Sequence, residues 1–261
     1  MLRRILWITL ILILFPSLSR SQTHLALRGG MGILRYSELI DVDRYRFLVA
    51  LDAANALTRG GDISLDLRGE AEFSYSWYDY KDMKDVSAWG VSALFDIFPE
   101  IALNLNRIVQ PCLGAGLTFG LESTRHTVKG IRLYDYRGVF LGTYDSKDTY
   151  KDHIYGLTVR PSLKLLAEQA FFRVAVKYRY FVDHVRYEWK WGDKGNTSER
   201  EDYLGQSIDI AFSVGFNLGS YALEGGLQAE NWVLKHEDSK KWPKWPEDLE
   251  YILFGKVHFS P

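Results

Sequence analysis

Between Asp62 and Trp77 the chain alternates for sixteen residues without a break. Ile63, Leu65, Leu67, Gly69, Ala71, Phe73, Tyr75 and Trp77 fall on one side. Asp62, Ser64, Asp66, Arg68, Glu70, Glu72, Ser74 and Ser76 fall on the other. Side chains of a strand repeat every two residues, so this pattern makes a two-faced strand; wound as a helix it would scatter charge on every side. An ordinary strand has roughly five to six residues. This one is built to cross something thicker than a soluble sheet.

The same period recurs along the chain. It runs through Leu25–Ile33, Tyr45–Ala53, Trp89–Phe95, Leu113–Leu121, Tyr155–Leu165, Phe172–Tyr180, Leu204–Leu218, Tyr221–Ala229 and Tyr251–Phe259, which with 62–77 makes ten strands. Connections after the even-numbered strands are mostly short, near 55–61, 97–107, 167–170 and 219–220. Those after the odd-numbered strands include 122–153, 183–202 and 234–249, which are polar, rich in Tyr and Trp, and expected as long loops. Short turns at one rim and long loops at the other is the plan of an outer-membrane barrel. Val185, Tyr187, Trp189 and Trp191 still alternate with Arg186, Glu188 and Lys190, so strands 7 and 8 are expected to project beyond the bilayer.

The first residues differ from all the rest. Arg3-Arg4 precede an apolar run, Ile5 to Phe15, and small residues Ser19 and Ser21 stand at −3 and −1 before Gln22. This is the form of a cleavable secretory signal, residues 1–21, exported by the Sec pathway. The run is too short for the roughly 20 residues of a spanning helix. The expected domains are therefore the signal, 1–21, and a barrel, 22–261. The full chain has 32 Lys+Arg against 33 Asp+Glu; without Arg3, Arg4 and Arg20 the balance is 29 against 33, or −4. There is no basic excess for nucleic acid. A lone Cys112 rules out an intrachain disulfide.

A soluble barrel also alternates, so the contents of each face must decide. Aromatics sit at segment ends (Tyr45, Trp77, Trp89, Tyr155, Tyr178, Tyr180, Phe216, Tyr221, Tyr251, Phe259), as in the girdles of a transmembrane barrel. The other face is rich in small residues, such as Gly114, Gly116, Gly120, Gly205 and Gly226, and in charge. Asp66, Glu70 and Glu72 are set against Arg160, Lys164, Arg173, Lys177 and Arg179, with Glu224 and Glu230 on strand 9. About ten strands leave an interior that side chains can largely fill. Charges there must pair, so a salt-bridged plug is expected over an open ion or substrate path. The fold class is all-β: a ten-stranded antiparallel transmembrane barrel in the outer membrane of a Gram-negative bacterium.

Three segments carry a family resemblance. Gly116-Leu-Thr-Phe-Gly-Leu-Glu122-Ser-Thr-Arg125-His-Thr-Val-Lys-Gly130 resembles the fifth strand of the omptins, outer-membrane proteases, with its upward extension. Tyr150-Lys151 through Tyr155-Gly156-Leu157-Thr158 resembles the return strand, and Phe172 to Tyr180 the seventh. The resemblance covers roughly residues 110–230 and implies the barrel fold. In that family an Asp-x-Asp pair after strand 3 and an Asp-x-His pair after strand 7 activate a water. Here the first loop offers Asp79, Asp82 and Asp85 at spacings of three, and the second offers Asp183 and His184 as direct neighbours. Register places the family's second pair near Lys190 and Gly192. Neither dyad is intact. The catalytic candidates are Asp82, Asp85, Asp183 and His184, with solvated loop residues as the competing reading.

Nothing else in the chain completes a catalytic or metal-binding set. The six His (24, 126, 153, 184, 236, 258) have no ligand spacing, the Gly114–Gly120 glycines lie in a strand, and no Ser has a nucleophile-elbow context. A lipid A-modifying hydrolase needs no local motif and stays as an alternative. No cofactor is implied. The loops, with Tyr134, Tyr136, Phe140, Tyr144, Tyr150, Tyr155 and the Trp242-Pro-Lys-Trp245-Pro246 stretch, read as a surface for an extracellular protein or glycan, or as stiffeners against lipopolysaccharide. The expected protein is a monomer, structural or surface-binding.

Overall fold

The computed structural model describes residues 23–36, 42–60, 62–81, 83–105, 108–134, 138, 140–191, 196–236 and 249–259. The proposed signal segment, Asp82 and the Trp242–Pro246 stretch lie outside them. Ten strands form one ring: β1 Thr23–Tyr36, β2 Val42–Gly60, β3 Ile63–Tyr80, β4 Val86–Leu103, β5 Val109–Tyr134, β6 Phe140–Leu166, β7 Ala170–Trp191, β8 Asn196–Asn217, β9 Tyr221–His236 and β10 Glu250–Phe259. Each strand pairs antiparallel with its chain neighbours, and β1 closes the ring on β10 with Leu25 opposite Phe259. Closure removes the unpaired edges that an open sheet would leave. Thr23 stands opposite Asn55, so the ring begins and ends at the rim of the short turns.

The alternation resolves into an inside-out protein. Leu27, Val49, Phe73, Val91, Leu117, Leu157, Phe212, Leu227 and Leu253 are all exposed and belt the outside. Arg46, Asp96, Glu100, Arg179, Asp209, Glu224, Glu230 and Lys256 are buried inside. Water would favour the opposite arrangement, and lipid favours this one: it is the transmembrane β-barrel. Aromatics bound the belt on the loop side. Tyr45 stacks on Trp77 at 5.0 Å, and Phe47 does so at 5.1 Å. From Leu165 to Tyr155 the wall advances about 10 residues, or roughly 25 Å when tilted, the height of an outer-membrane apolar band.

The interior is an ion-pair lattice. Arg46 reaches Glu230 and Glu250, each at 3.0 Å, and also Glu72. Arg179 bridges Asp96 at 3.0 Å and Asp209 at 2.9 Å. Lys177 joins Asp96 at 2.9 Å and Glu70, which Arg160 also holds. The inward glycines have a specific task. A Cβ on Gly205 would collide with the ring of Phe181, and on Gly114 with the ring of Phe98; both rings are fully buried inside the wall. The small residues of one strand make room for the large inward residue of the next.

One expectation is corrected. Residues 122–153 and 183–202 are mainly strand: β5 and β6 run 26 and 27 residues, and β7 and β8 run 22 each. Their sequence reads as loop because, above the belt, both faces can be polar and the apolar half of the alternation fades. The pairing persists through bulges, one of them between Val128 and Ile131, where Gly130 takes a φ of 70°. A left-handed residue in a bulge of this kind favours glycine.

Candidate functional site

Above the aromatic girdle, β3 and β5 to β8 continue as paired strands, and their inward faces make up the cup. Register places Glu122 directly opposite Asp152. Ile154 is opposite Asp183, and Asp152 opposite Val185. Glu122, Asp152 and Asp183 share the inward parity of Thr118, Thr158 and Arg179, all buried. Three carboxyl groups from three successive strands therefore form the floor of the cup.

Their environment is apolar enough to resist ionisation. Burial, then Glu122, then Asp183 push Asp152 up to about 8. Burial and Glu122 push Asp183 up to about 7, against the pull of His184. Asp183 is only 4% exposed, and Oδ1 of both aspartates lacks a hydrogen-bond partner. Glu122 accepts from Thr124 Oγ1 at 3.3 Å and lies within electrostatic reach of Arg44 on β2. Near neutral pH the floor holds both protonated and ionised carboxyl groups, hence both donors and acceptors. Among the described residues no three His, Cys, Asp or Glu come together as metal ligands. Protons on Asp152 and Asp183 offset the like charges.

An aromatic arc lines the wall over this floor. His126 lies 5.9 Å from Tyr78 and 5.3 Å from Tyr150. Tyr150 meets Tyr187 edge-on at 5.1 Å, and Tyr187 stacks on Trp189 at 6.0 Å. Polar tips fix the rings. Tyr80 Oη bonds His126 Nδ1 at 3.0 Å, and Tyr187 Oη bonds Tyr203 Oη at 2.9 Å, which in turn donates to Glu201. Burial lowers the His126 pKa, although Asp148 opposes this, so the ring is held as a neutral partner. Tyr187 is pushed up by burial and its bond to Tyr203, and stays a phenol.

The sequence candidates separate. Asp183 is in the floor. His184, next along β7, points outward, is exposed, and bonds Asp202 through Nδ1 at 2.6 Å. Asp85 is an exposed turn residue whose carbonyl accepts from Lys129 N at 2.9 Å, and Asp82 lies outside the described residues. The structure thus brings neither Asp85 nor His184 into the floor beside Asp183. Its partners are Glu122 and Asp152, which motif reasoning missed. The available signal was phase: Glu122 continues the inward parity of Gly116 and Gly120, and Asp152 that of Arg160.

No protein-family model matches the chain, and no curated protein does. Among solved structures it is similar to the outer membrane protease OmpT from Escherichia coli, at a TM-score of 0.46 and 12% identity over 94% of this chain and 99% of that one. The translocator domain of the autotransporter NalP from Neisseria meningitidis gives 0.48 and 8%, over 98% and 94%. The toluene transporter TodX from Pseudomonas putida gives 0.40 and 5%, over 92% and 89%. The resemblance to the omptins is one of fold. The neighbours are a protease, a translocator domain and a transporter, all barrels.

Proposed function

We propose that this chain is a monomeric outer-membrane β-barrel, exported by the Sec pathway on residues 1–21, whose ion-paired lumen closes it to solutes. Its cup binds a glycan at the cell surface. The observation that carries this reading is the inward aromatic arc set over a floor of mixed carboxyl and carboxylate groups. Tyr and Trp rings give large rigid faces with a polar edge, and a sugar presents flat C–H faces together with hydroxyls that donate and accept. The arc lies on the inward face of the ring, which suits a chain end more than the flat surface of a folded protein. Outside, exposed Arg125 stands 5.4 Å over Trp89 and Arg186 is exposed on β7. Such cations just above the belt suit lipopolysaccharide headgroups.

Binding of the folded protein to immobilised oligosaccharides, followed by Trp fluorescence, tests the reading. Tyr150→Ala and Tyr187→Ala are expected to weaken binding about tenfold, the size of a strong interface contact. Binding to peptides but to no sugar would overturn it. Stable single-channel steps in a planar bilayer would overturn the closed lumen.

One observation favours a second reading, a surface hydrolase. Carboxyl groups pushed to about 8 and about 7 beside Glu122 form an acid–base set poised near neutrality. Incubation with a mixed peptide library, oligosaccharides and lipopolysaccharide separates the two. Cleavage that Asp183→Asn abolishes and His184→Ala leaves intact would establish the hydrolase.

A further inference from the structure

The turn-side end of the barrel opens into a vestibule of about 620 Å³, independent of the cup. Its wall carries an unusual juxtaposition: Lys164 on β6 and Arg173 on β7 are direct cross-strand partners, both lining the cavity. Like charges directly opposite each other destabilise a sheet. Each carboxylate of the same cavity already has a cation beside it, and only Oε2 of Glu100 among their oxygens is buried without a hydrogen-bond partner. Lys256 holds Asp52, Arg68 holds Glu100 at 2.8 Å and Asp66 at 3.8 Å, and His258 holds Glu224 at 2.5 Å. Glu224, which reaches both cations electrostatically, also accepts from Ser213. Among the described residues Lys164 and Arg173 form no ion pair; the Lys164 ammonium rests 4.3 Å over the Phe171 ring. Both are only partly exposed, and both line the cavity.

We propose that Lys164 and Arg173 form a binding site for a phosphate-type oxyanion in this vestibule. The guanidinium supplies a planar fork for two oxygens, and the ammonium a compact charge for a third. Together they match a tetrahedral dianion better than a halide. Bound anion removes the repulsion between the two cations and stabilises the β6–β7 ladder at its turn end.

The chain carries its own reporter. Cys112, its only cysteine, lines the same cavity; it pairs with Ser162, while its neighbour Gln110 pairs with Lys164, so the thiol sits one diagonal step from the ammonium. Full-length protein folded in zwitterionic detergent is titrated with inorganic phosphate by calorimetry in a chloride background. Alkylation of Cys112 by a neutral maleimide is timed in parallel. Saturable phosphate binding and at least threefold slower alkylation are expected. In Lys164→Gln/Arg173→Gln, affinity falls at least tenfold and the protection disappears. Arg173→Lys, which keeps the charge, retains part of both. Glycerol phosphate in place of phosphate distinguishes a site for the free ion from one that also takes a phosphomonoester headgroup; binding of either supports it. Absence of heat with both ligands, equal binding by the double variant, or a thiol that no reagent reaches would overturn the site. None of these readouts depends on the cup, so this inference and the glycan reading fail separately.

Discussion

Glu122 and Asp152 stand directly opposite each other across the β5–β6 ladder, both inside the cup, with Asp183 on the next strand. Opposed carboxylates cost stability when both are ionised. The cost is avoided by holding protons, which makes the cup sensitive to pH. The folded-state pKa values of Asp152 and Asp183, about 8 and about 7, lie above the unfolded value near 3.9. In that window the folded state binds more protons than the unfolded one, so stability falls as pH rises from about 4 to about 8. Hydrogen exchange along β6 and β7 is expected to quicken over this range. Asp183→Asn should flatten the dependence, with Asp152 left as the remaining titrating group; an unchanged slope would refute it.

Glu122→Gln tests the origin of the shift. Glu122 is the charge that raises both aspartates after burial itself. Its neutralisation is expected to lower both midpoints, with the larger part of each shift, due to burial, remaining. Carboxyl infrared difference spectra across pH 5 to 9 would show whether the protonated bands disappear at lower pH.

Arg46 is the hub of the upper lattice, and Arg46→Ala leaves Glu72, Glu230 and Glu250 without their shared cation. Breaking a buried pair from one side typically costs about 3–5 kcal/mol. The urea midpoint of the heat-modifiable band should drop accordingly. A double change of Arg46→Met with Glu230→Leu should recover part of the loss, since paired apolar replacement spares an unpaired charge.

Gly205→Ala is expected to destabilise the barrel by about 1–3 kcal/mol, because its methyl would overlap the Phe181 ring. Phe181→Leu in the same chain should rescue part of that loss. Additive losses would mean that the two side chains do not share the space.

His184→Ala should change stability by no more than about 0.5–1 kcal/mol, the scale of an exposed ion pair, and should leave cup binding intact. Its neighbour in sequence, Asp183, should affect binding. One residue of phase separates the two outcomes.

Much of the fold is legible in the sequence because parity is local. Sixteen alternating residues from Asp62 to Trp77 define two faces whatever lies beside them. The aromatic ends mark where a belt stops, and charges on the other face must meet in the interior. By alternation the long strands above the belt are legible only from 185 to 191, while 116–130 and 150–158 are legible through their resemblance to omptin strands. Around Glu122 to His153 the inward and outward residues are both largely polar, so hydrophobicity no longer reports phase.

The candidate site was harder to read for the same reason. Motif spacing singled out Asp183 and His184 as a pair, but adjacent residues of a strand point to opposite sides. What joins Asp183 to Glu122 and Asp152 is the register of three strands, a relation between residues 30 to 61 positions apart. Ten two-faced strands, an apolar exterior and a charged interior follow from a period of two written along the chain. Only ring closure brought Arg46 on β2 to Glu230 and Glu250 on β9 and β10, and only cross-strand register set Lys164 against Arg173 and put three acids on one floor. Cross-strand register and ring closure are non-local, and side chains far apart in the chain become neighbours only when the ladder is formed.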